Sequence, residues 1–283
     1  MRGEGKTLLK ALLTRSQREP QLIGFLPDKL AKEIKSASHP QKLDFAALLS
    51  LSEWLKPIHY SWFIPFLQNL PEKTLAVFLS VFNPVQVKGI SEMLKKEMIP
   101  LPLSPFSTPF LIKYLKTELE EGKIIGSRQL LFSDMMPLLQ LKREELLNLI
   151  DLLGIYDLAA DLRQVVDKEL LGKIHTALSH DQLQFLHYCS KQPSKWVSPK
   201  LGLSGWDGTK KTLNSILHQR GLTWLARAII EESASFHWHL LHHLDTGRAN
   251  VVQKVFKQKQ DLVLTKYFKN QVLHIARRFQ TAA

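Results

Sequence analysis

FSDMMPLLQLKREELLNLIDLLGIYDLAADLRQVVDKELLGKIHTALSHDQLQFLHYCSKQ, residues 132–192, is the stretch whose spacing decides the fold class. Leu146, Leu147, Ile150 and Leu153 recur at a helical period. Leu170, Leu171, Ile174, Ala177 and Leu178 do the same, and neither set alternates as a half-buried strand would. Gly154 can take the left-handed conformation that ends a helix, and Asp157 can cap the next one. Ser179-His180-Asp181-Gln182 has the form of a capping box. The stretch is predicted to be four helices of about three turns each, too short to stand alone and bound to stack on neighbours.

The punctuation continues on both sides. Leu70-Pro71-Glu72 and Phe82-Asn83-Pro84 each open an apolar-periodic run, as does Phe25-Leu26-Pro27-Asp28, with proline near the first helical position, where its missing N–H costs nothing. Tyr60, Trp62, Phe63 and Phe66, broken up by Pro57 and Pro65, are expected in the core. Helices are also expected over 1–20, 26–36 and 44–55. Ile99 to Pro109 carries four prolines and reads as a linker. Further helices are expected over 110–126 and through Leu213, Ile216 and Leu217, ending at Gly221. Leu225 to Ile230 makes another, and Ser233 can cap the next. Two basic amphipathic helices close the chain. The fold class is all-α, an array of short stacked helices of armadillo-like or right-angled type. The expected modules are 1–98, a linker over 99–109, a middle module over 110–195 and a C-terminal module over 196–283.

The 283 residues are 45% hydrophobic, enough to bury a sizeable core. Cys189 stands alone, which excludes an internal disulfide and fits a reducing compartment; on its apolar helix face it is expected to be a buried small hydrophobe. No run is long and apolar enough for a transmembrane helix, and the N-terminus lacks the apolar region of a signal peptide. The net charge is +12, and residues 251–283 supply +6 of it, with Asp261 as their sole acidic residue. Such a surface suits an acidic protein, an anionic membrane or nucleic acid, or is simply a solvated face.

Chemistry-bearing patterns are sparse. Gly3-Glu4-Gly5-Lys6-Thr7 lacks the upstream glycine and strand of a phosphate-binding loop. His237, His239, His242 and His243 include an i, i+4 pair able to hold zinc, but HWHLLHH lacks the glutamate of the metalloprotease pattern, so structural histidines are the preferred reading. Glu231 and Glu232 read as solvated. No nucleophile elbow occurs. Neither a catalytic site nor a cofactor is expected. The candidate partner surface is the HLDTGR turn and its surroundings: Trp206, Trp238, His242, Asp245, Arg248, Lys254 and Lys257, chosen because Trp and Arg are favoured at binding hot spots. The alternative is that Asp245 and Gly247 only end one helix and Arg248 starts the next.

Phe132, Asp134, Leu138, Leu158-Ala159, Leu171, Ile174, Leu178 and Ser179 fall in an order that resembles the repeating helical domains of the flagellar rotor switch protein FliG. The Leu-Pro-Glu and Asn-Pro starts at 70–94 look like earlier modules of the same family, so the resemblance covers roughly 42–192. The charged torque-generating helix of a rotor protein has no counterpart. The tail GLSGWDG…LHQRGLTWLARAI…WHLLHHLDTGRA resembles instead the SctK (YscK-like) adaptors of type III secretion systems. That resemblance implies a cytoplasmic, non-enzymatic sorting-platform component, peripheral to the inner membrane. It would link the inner-membrane ring to cytosolic ring proteins, with anionic membrane contact at its basic ends. Nucleic acid binding by the basic C-terminal helices is the alternative. No functional residue carries over from either family.

Overall fold

The computed structural model describes residues 31–32, 36, 53–104, 107–120, 124–126, 130, 133–163, 165–192, 206–257 and 262–280. The helices expected over 1–20, over most of 26–36 and over most of 44–55 lie outside the described residues. The chain divides into two compact units, Met1–Glu53 and Trp54–Ala283, and nearly all described residues belong to the second. In that unit a 3-10 turn, Tyr60–Trp62, leads into α1 (Ile64–Leu67), α2 (Glu72–Leu79), α3 (Pro84–Leu94) and α4 (Thr108–Leu119). Then come α5 (Met136–Gln140), α6 (Arg143–Leu162), α7 (Lys168–Ala177) and α8 (His180–Ser190). The last four are α9 (Lys210–Ile229), α10 (Ala234–His243), α11 (Thr246–Phe256) and α12 (Leu262–Gln280). No strand occurs among the described residues, and the fold is the expected all-α helical array.

Several starts are as the sequence reads. Ser179 and Gln182 close a capping box on α8, with Ser179 N–H donating to Gln182 Oε1 at 2.8 Å. Asn83 and Gln86 do the same on α3, where Pro84 sits in the first turn. Pro71 lies one place earlier, at the cap of α2. Ser233 accepts from Phe236 N–H to start α10. These interactions span three residues and need no tertiary contact.

Two helices are longer than expected. α6 runs for 20 residues straight through Gly154, and α9 for 20 residues straight through Gly221. Neither glycine ends a helix, and Asp157 caps nothing. The two glycines instead mark where α6 and α9 touch. A Cβ on Gly154 would lie 2.0 Å from the Leu217 carbonyl oxygen, and one on Gly221 would lie 1.8 Å from that of Ile150. Each backbone fills the space the other lacks, so glycine's cost inside a helix, about 1 kcal/mol relative to alanine, is offset by close helix packing. Beside this crossing Asp157, 1% exposed, accepts from Arg220, which also reaches Asp161 at 3.8 Å.

α6 is central. Every residue from Leu153 to Asp161 is buried, the signature of a helix surrounded on all sides. Leu149 joins Leu146, Ile150 and Leu153 in full burial, whereas Leu147 is only half-buried. Around the α6–α9 pair lie α8, α11 and α12. Trp224 of α9 meets Phe268 of α12 edge-on at 4.6 Å and Tyr156 of α6 at 5.2 Å, and the Tyr156 and Tyr267 hydroxyls are 2.9 Å apart. A single apolar core runs from Met135 to Ala276 and so crosses the expected boundary at 195/196. The residues expected to form separate middle and C-terminal modules share it.

Residues 54–119 bury a further apolar group that includes Leu55, Phe63, Leu67, Leu75, Ile90 and Leu115. Buried Gln86 ties it together, donating to the carbonyls of Leu55 and Ile58. In the expected linker, 99–104 is non-helical and Leu101 N–H donates to Ala76 O, so this stretch lies against α2; Thr108 already starts α4.

Candidate partner-binding surface

The HLDTGR turn joins α10 to α11. Asp245 caps α11 by accepting from Arg248 N–H at 3.1 Å, and Gly247 and Arg248 lie inside that helix. This is the helix-boundary role weighed above, with Asp245 starting α11 and not ending α10. The Arg248 guanidinium also pairs with the Asp245 carboxylate and donates from Nε to His218 Nε2 at 2.7 Å. A guanidinium only donates, so His218 Nε2 accepts and its Nδ1 carries the proton toward Asp151, 2.6 Å away. Arg248 therefore belongs to a polar chain that links α11, α9 and α6.

Trp238 and His242 face inward. A column of rings runs Trp54, Trp238, His242, Trp62, with successive centroids 5.9, 4.0 and 4.1 Å apart and interplanar angles of 23°, 24° and 27°. The backbone closes the same seam. His59 N–H donates to His242 O at 2.7 Å, and Trp62 Nε1 donates to Leu244 O at 2.9 Å. Thr246 N–H donates to Ser61 Oγ at 3.0 Å, and that hydroxyl lies 2.8 Å from His59 Nδ1. Residues 54–62 thus cover the turn expected to meet a partner.

Three of the four clustered histidines are spent on separate acceptors. His237 Nε2 lies 2.6 Å from Ile229 O, His239 Nε2 2.9 Å from Ile125 O, and His242 Nδ1 2.6 Å from Trp238 O. Among the described residues no three His, Cys, Asp or Glu side chains are grouped to hold a metal. Burial pushes His242 and His243 down to about 4, with neighbouring histidines adding to the effect. His59 is likewise lowered to about 4, first by burial and then by the positive charges of Arg143 and Arg248, against Asp245, which raises it.

Trp206 folds over its own turn, half-buried, with Nε1 donating to Thr209 O at 2.9 Å. Lys254 and Lys257 are exposed at the end of α11. Neither α11 nor α12 contains an acidic residue. On α12, Lys266, Asn270, His274, Arg277 and Arg278 lie exposed. Lys269 turns inward to Glu232 at 2.8 Å and Asp134 at 3.8 Å. Glu232 is therefore not solvated as expected: it also accepts from Ser133 Oγ at 2.6 Å, and only Glu231 is exposed.

One feature has no local signature in the sequence. A cavity of about 300 Å³ lies between α6, α8 and α12, lined by Tyr156, Phe185, Tyr188, Cys189, His274 and Ile275 among others. The Arg278 guanidinium stands 5.0 Å from the Phe185 ring centroid and 5.2 Å from that of Tyr188. Tyr188 Oη lies 3.2 Å from His274 Nε2. Arg163 donates to the carbonyls of Cys189, Ser190 and Gln192, satisfying the C-terminal end of α8. Cys189 is 2% exposed, as expected, and burial pushes its thiol up to about 12, which leaves it neutral and unreactive. The residues that meet here come from three helices far apart in the chain. No described helix is long and apolar enough to cross a membrane. Comparison with protein-family models, with curated proteins and with solved structures found no match to this chain.

Proposed function

We propose that the chain is a non-enzymatic docking adaptor of a type III secretion cytosolic complex. It would join the inner-membrane ring to cytosolic ring proteins at the cytoplasmic face of the membrane. The observation that carries this reading is the pairing of an all-α scaffold with a one-signed surface: two successive helices, α11 and α12, without one acidic residue. Such a face recruits acidic partners and steers their approach. The sequence resemblance to the FliG and SctK families supports the choice of apparatus. In the histidine cluster, His237, His239 and His242 are taken up by backbone carbonyls, which fits a scaffold better than a hydrolase. Pull-down with purified inner-membrane ring and cytosolic ring proteins tests the reading: retention of at least one is expected, and retention of neither by folded protein would reject it.

The same acid-free helices support a second reading, nucleic acid binding. It requires a mobility shift on duplex DNA or RNA that weakens steeply with salt. Absence of any shift at low salt removes it.

A further inference from the structure

Four histidines are exposed among the described residues: His175, His180, His187 and His274. Two of them are engaged. His180 Nε2 lies 2.9 Å from Gln184 Nε2, and His274 Nε2 lies 3.2 Å from Tyr188 Oη. His175 and His187 instead have each other as neighbours, with ring centroids 6.0 Å apart. They come from different helices, His175 from the last turn of α7 and His187 from the last turn of α8. The corner between those helices fixes their spacing. Only Leu178 and Ser179 separate α7 from α8. Leu178 N–H donates to Ile174 O at 3.2 Å, and the Ser179–Gln182 capping box sets the start of α8. Ile174, Ala177, Leu178, Phe185 and Leu186 are buried in the common core, which anchors both helices.

We propose that His175 and His187 together bind one late divalent cation, Zn²⁺ or Cu²⁺, and that the metal clips α7 to α8. Two imidazoles on one tetrahedral metal put their ring centroids about 5–5.5 Å apart, given metal–nitrogen bonds of about 2.0–2.1 Å. The observed 6.0 Å is close to that span, and both side chains are exposed and able to turn the remaining distance. Neutral imidazole suits zinc and copper, whereas Mg²⁺ and Ca²⁺ take oxygen ligands. No third His, Cys, Asp or Glu joins the pair among the described residues, so the site is open and water fills its other positions. Two features favour a cation here. The rigid corner presents the second imidazole at high effective concentration once the first has bound. Both histidines also lie at helix C-termini, where the negative end of the helix dipole attracts positive charge. α7 is exposed over most of its length, and a metal bridge near its end would hold that end against fraying. This site is independent of the adaptor reading.

The test is calorimetric titration of Zn²⁺, and separately of Mg²⁺, into the chelator-treated full chain and three variants: His175→Gln, His187→Gln and the control His180→Gln. All three positions are exposed, and circular dichroism checks that each variant folds. Wild type should bind Zn²⁺ and show no comparable binding of Mg²⁺. Affinity should fall roughly 10-fold or more in His175→Gln and in His187→Gln, because either change removes the chelate, and should be unchanged in His180→Gln. Hydrogen exchange supplies the second readout: Zn²⁺ should slow exchange of the α7 amides in wild type and in His180→Gln, but not in His187→Gln. Zn²⁺ affinity unchanged in both His175→Gln and His187→Gln, or lowered equally by His180→Gln, would mean an adventitious ion only and would overturn the proposal. So would Mg²⁺ binding at the affinity of Zn²⁺, or exchange on α7 that Zn²⁺ leaves unaltered. Ring-protein capture by His187→Gln at wild-type level is expected in either case, so loss of the metal site leaves the adaptor reading standing.

Discussion

Two joints hold residues 54–283 together, and they work by opposite means. At the α6–α9 crossing the side chains are removed: Gly154 and Gly221 let each backbone lie where a Cβ would be. At the seam between residues 54–62 and the α10–α11 turn the side chains are large. Four aromatic rings stack in a column, framed by hydrogen bonds from His59, Trp62 and Thr246. The first joint carries no titratable group at the contact itself and tolerates no added atom. The second can absorb small changes in ring size but holds buried neutral histidines. The crossing is thus sensitive to volume, and the seam is sensitive to acid.

The substitution that breaks the crossing is Gly221→Ala, or equally Gly154→Ala. A methyl group 1.8–2.0 Å from a carbonyl oxygen forces the helices apart. The loss should be about 3 kcal/mol or more, at the upper end for overpacking and against a gain of about 1 kcal/mol in helix propensity, read by urea unfolding. Next to the crossing, Asp157→Asn removes the nearer of the two carboxylates that pair with Arg220 in a half-buried site. About 2–3 kcal/mol should be lost, less than for a buried charge stripped of all its partners.

The seam is broken by acid. His59, His242 and His243 sit near 4 when folded and near 6.5 when unfolded. The unfolded chain binds the extra protons, so their contribution is intact above pH 6.5, falls as pH drops from 6.5 toward 4, and flattens below 4. The melting temperature should fall by several degrees between pH 7 and pH 5, and His242→Gln should flatten part of that slope. Trp62→Phe keeps a ring in the column but deletes the Nε1 donor to Leu244 O; about 1 kcal/mol should be lost, with no change in the pH slope. The smallest effect is opposite in sign. Gly172 on α7 is exposed, and a Cβ there would meet nothing within 4 Å, so Gly172→Ala should stabilise by about 0.5–1 kcal/mol. One chemical change made at three helical glycines therefore separates packing from propensity.

These joints also mark where the sequence stops being legible. The caps at Ser179, Asn83 and Ser233 are readable because donor and acceptor are three residues apart. A glycine that ends a helix and a glycine that admits a second helix look alike in one chain. Gly154 and Gly221 are distinguished only by each other, across a contact that no local pattern encodes. Trp238 and His242 stand out by residue type, but the direction they face depends on Trp54, His59 and Trp62, far earlier in the chain. The same holds for Glu232, whose exposure is decided by Lys269 and Ser133. Lys254 and Lys257 are readable as surface because they share a helix face with polar Gln253 and Asn250 and carry charges that resist burial. The cavity is the extreme case: Tyr156, Phe185 and Ile275 each read as ordinary core residues until three helices bring them together.

The proposed function requires the acid-free face of α12 to meet a protein. A photo-crosslinking residue placed at the exposed position 270, in the full chain mixed with inner-membrane ring and cytosolic ring proteins, tests it most directly. An identical residue at exposed position 176 on α7 serves as the control. A covalent adduct with a ring protein is expected from position 270 and none from position 176. Capture of a ring protein with an adduct only from position 176, or adducts from position 270 only to added nucleic acid, would contradict it.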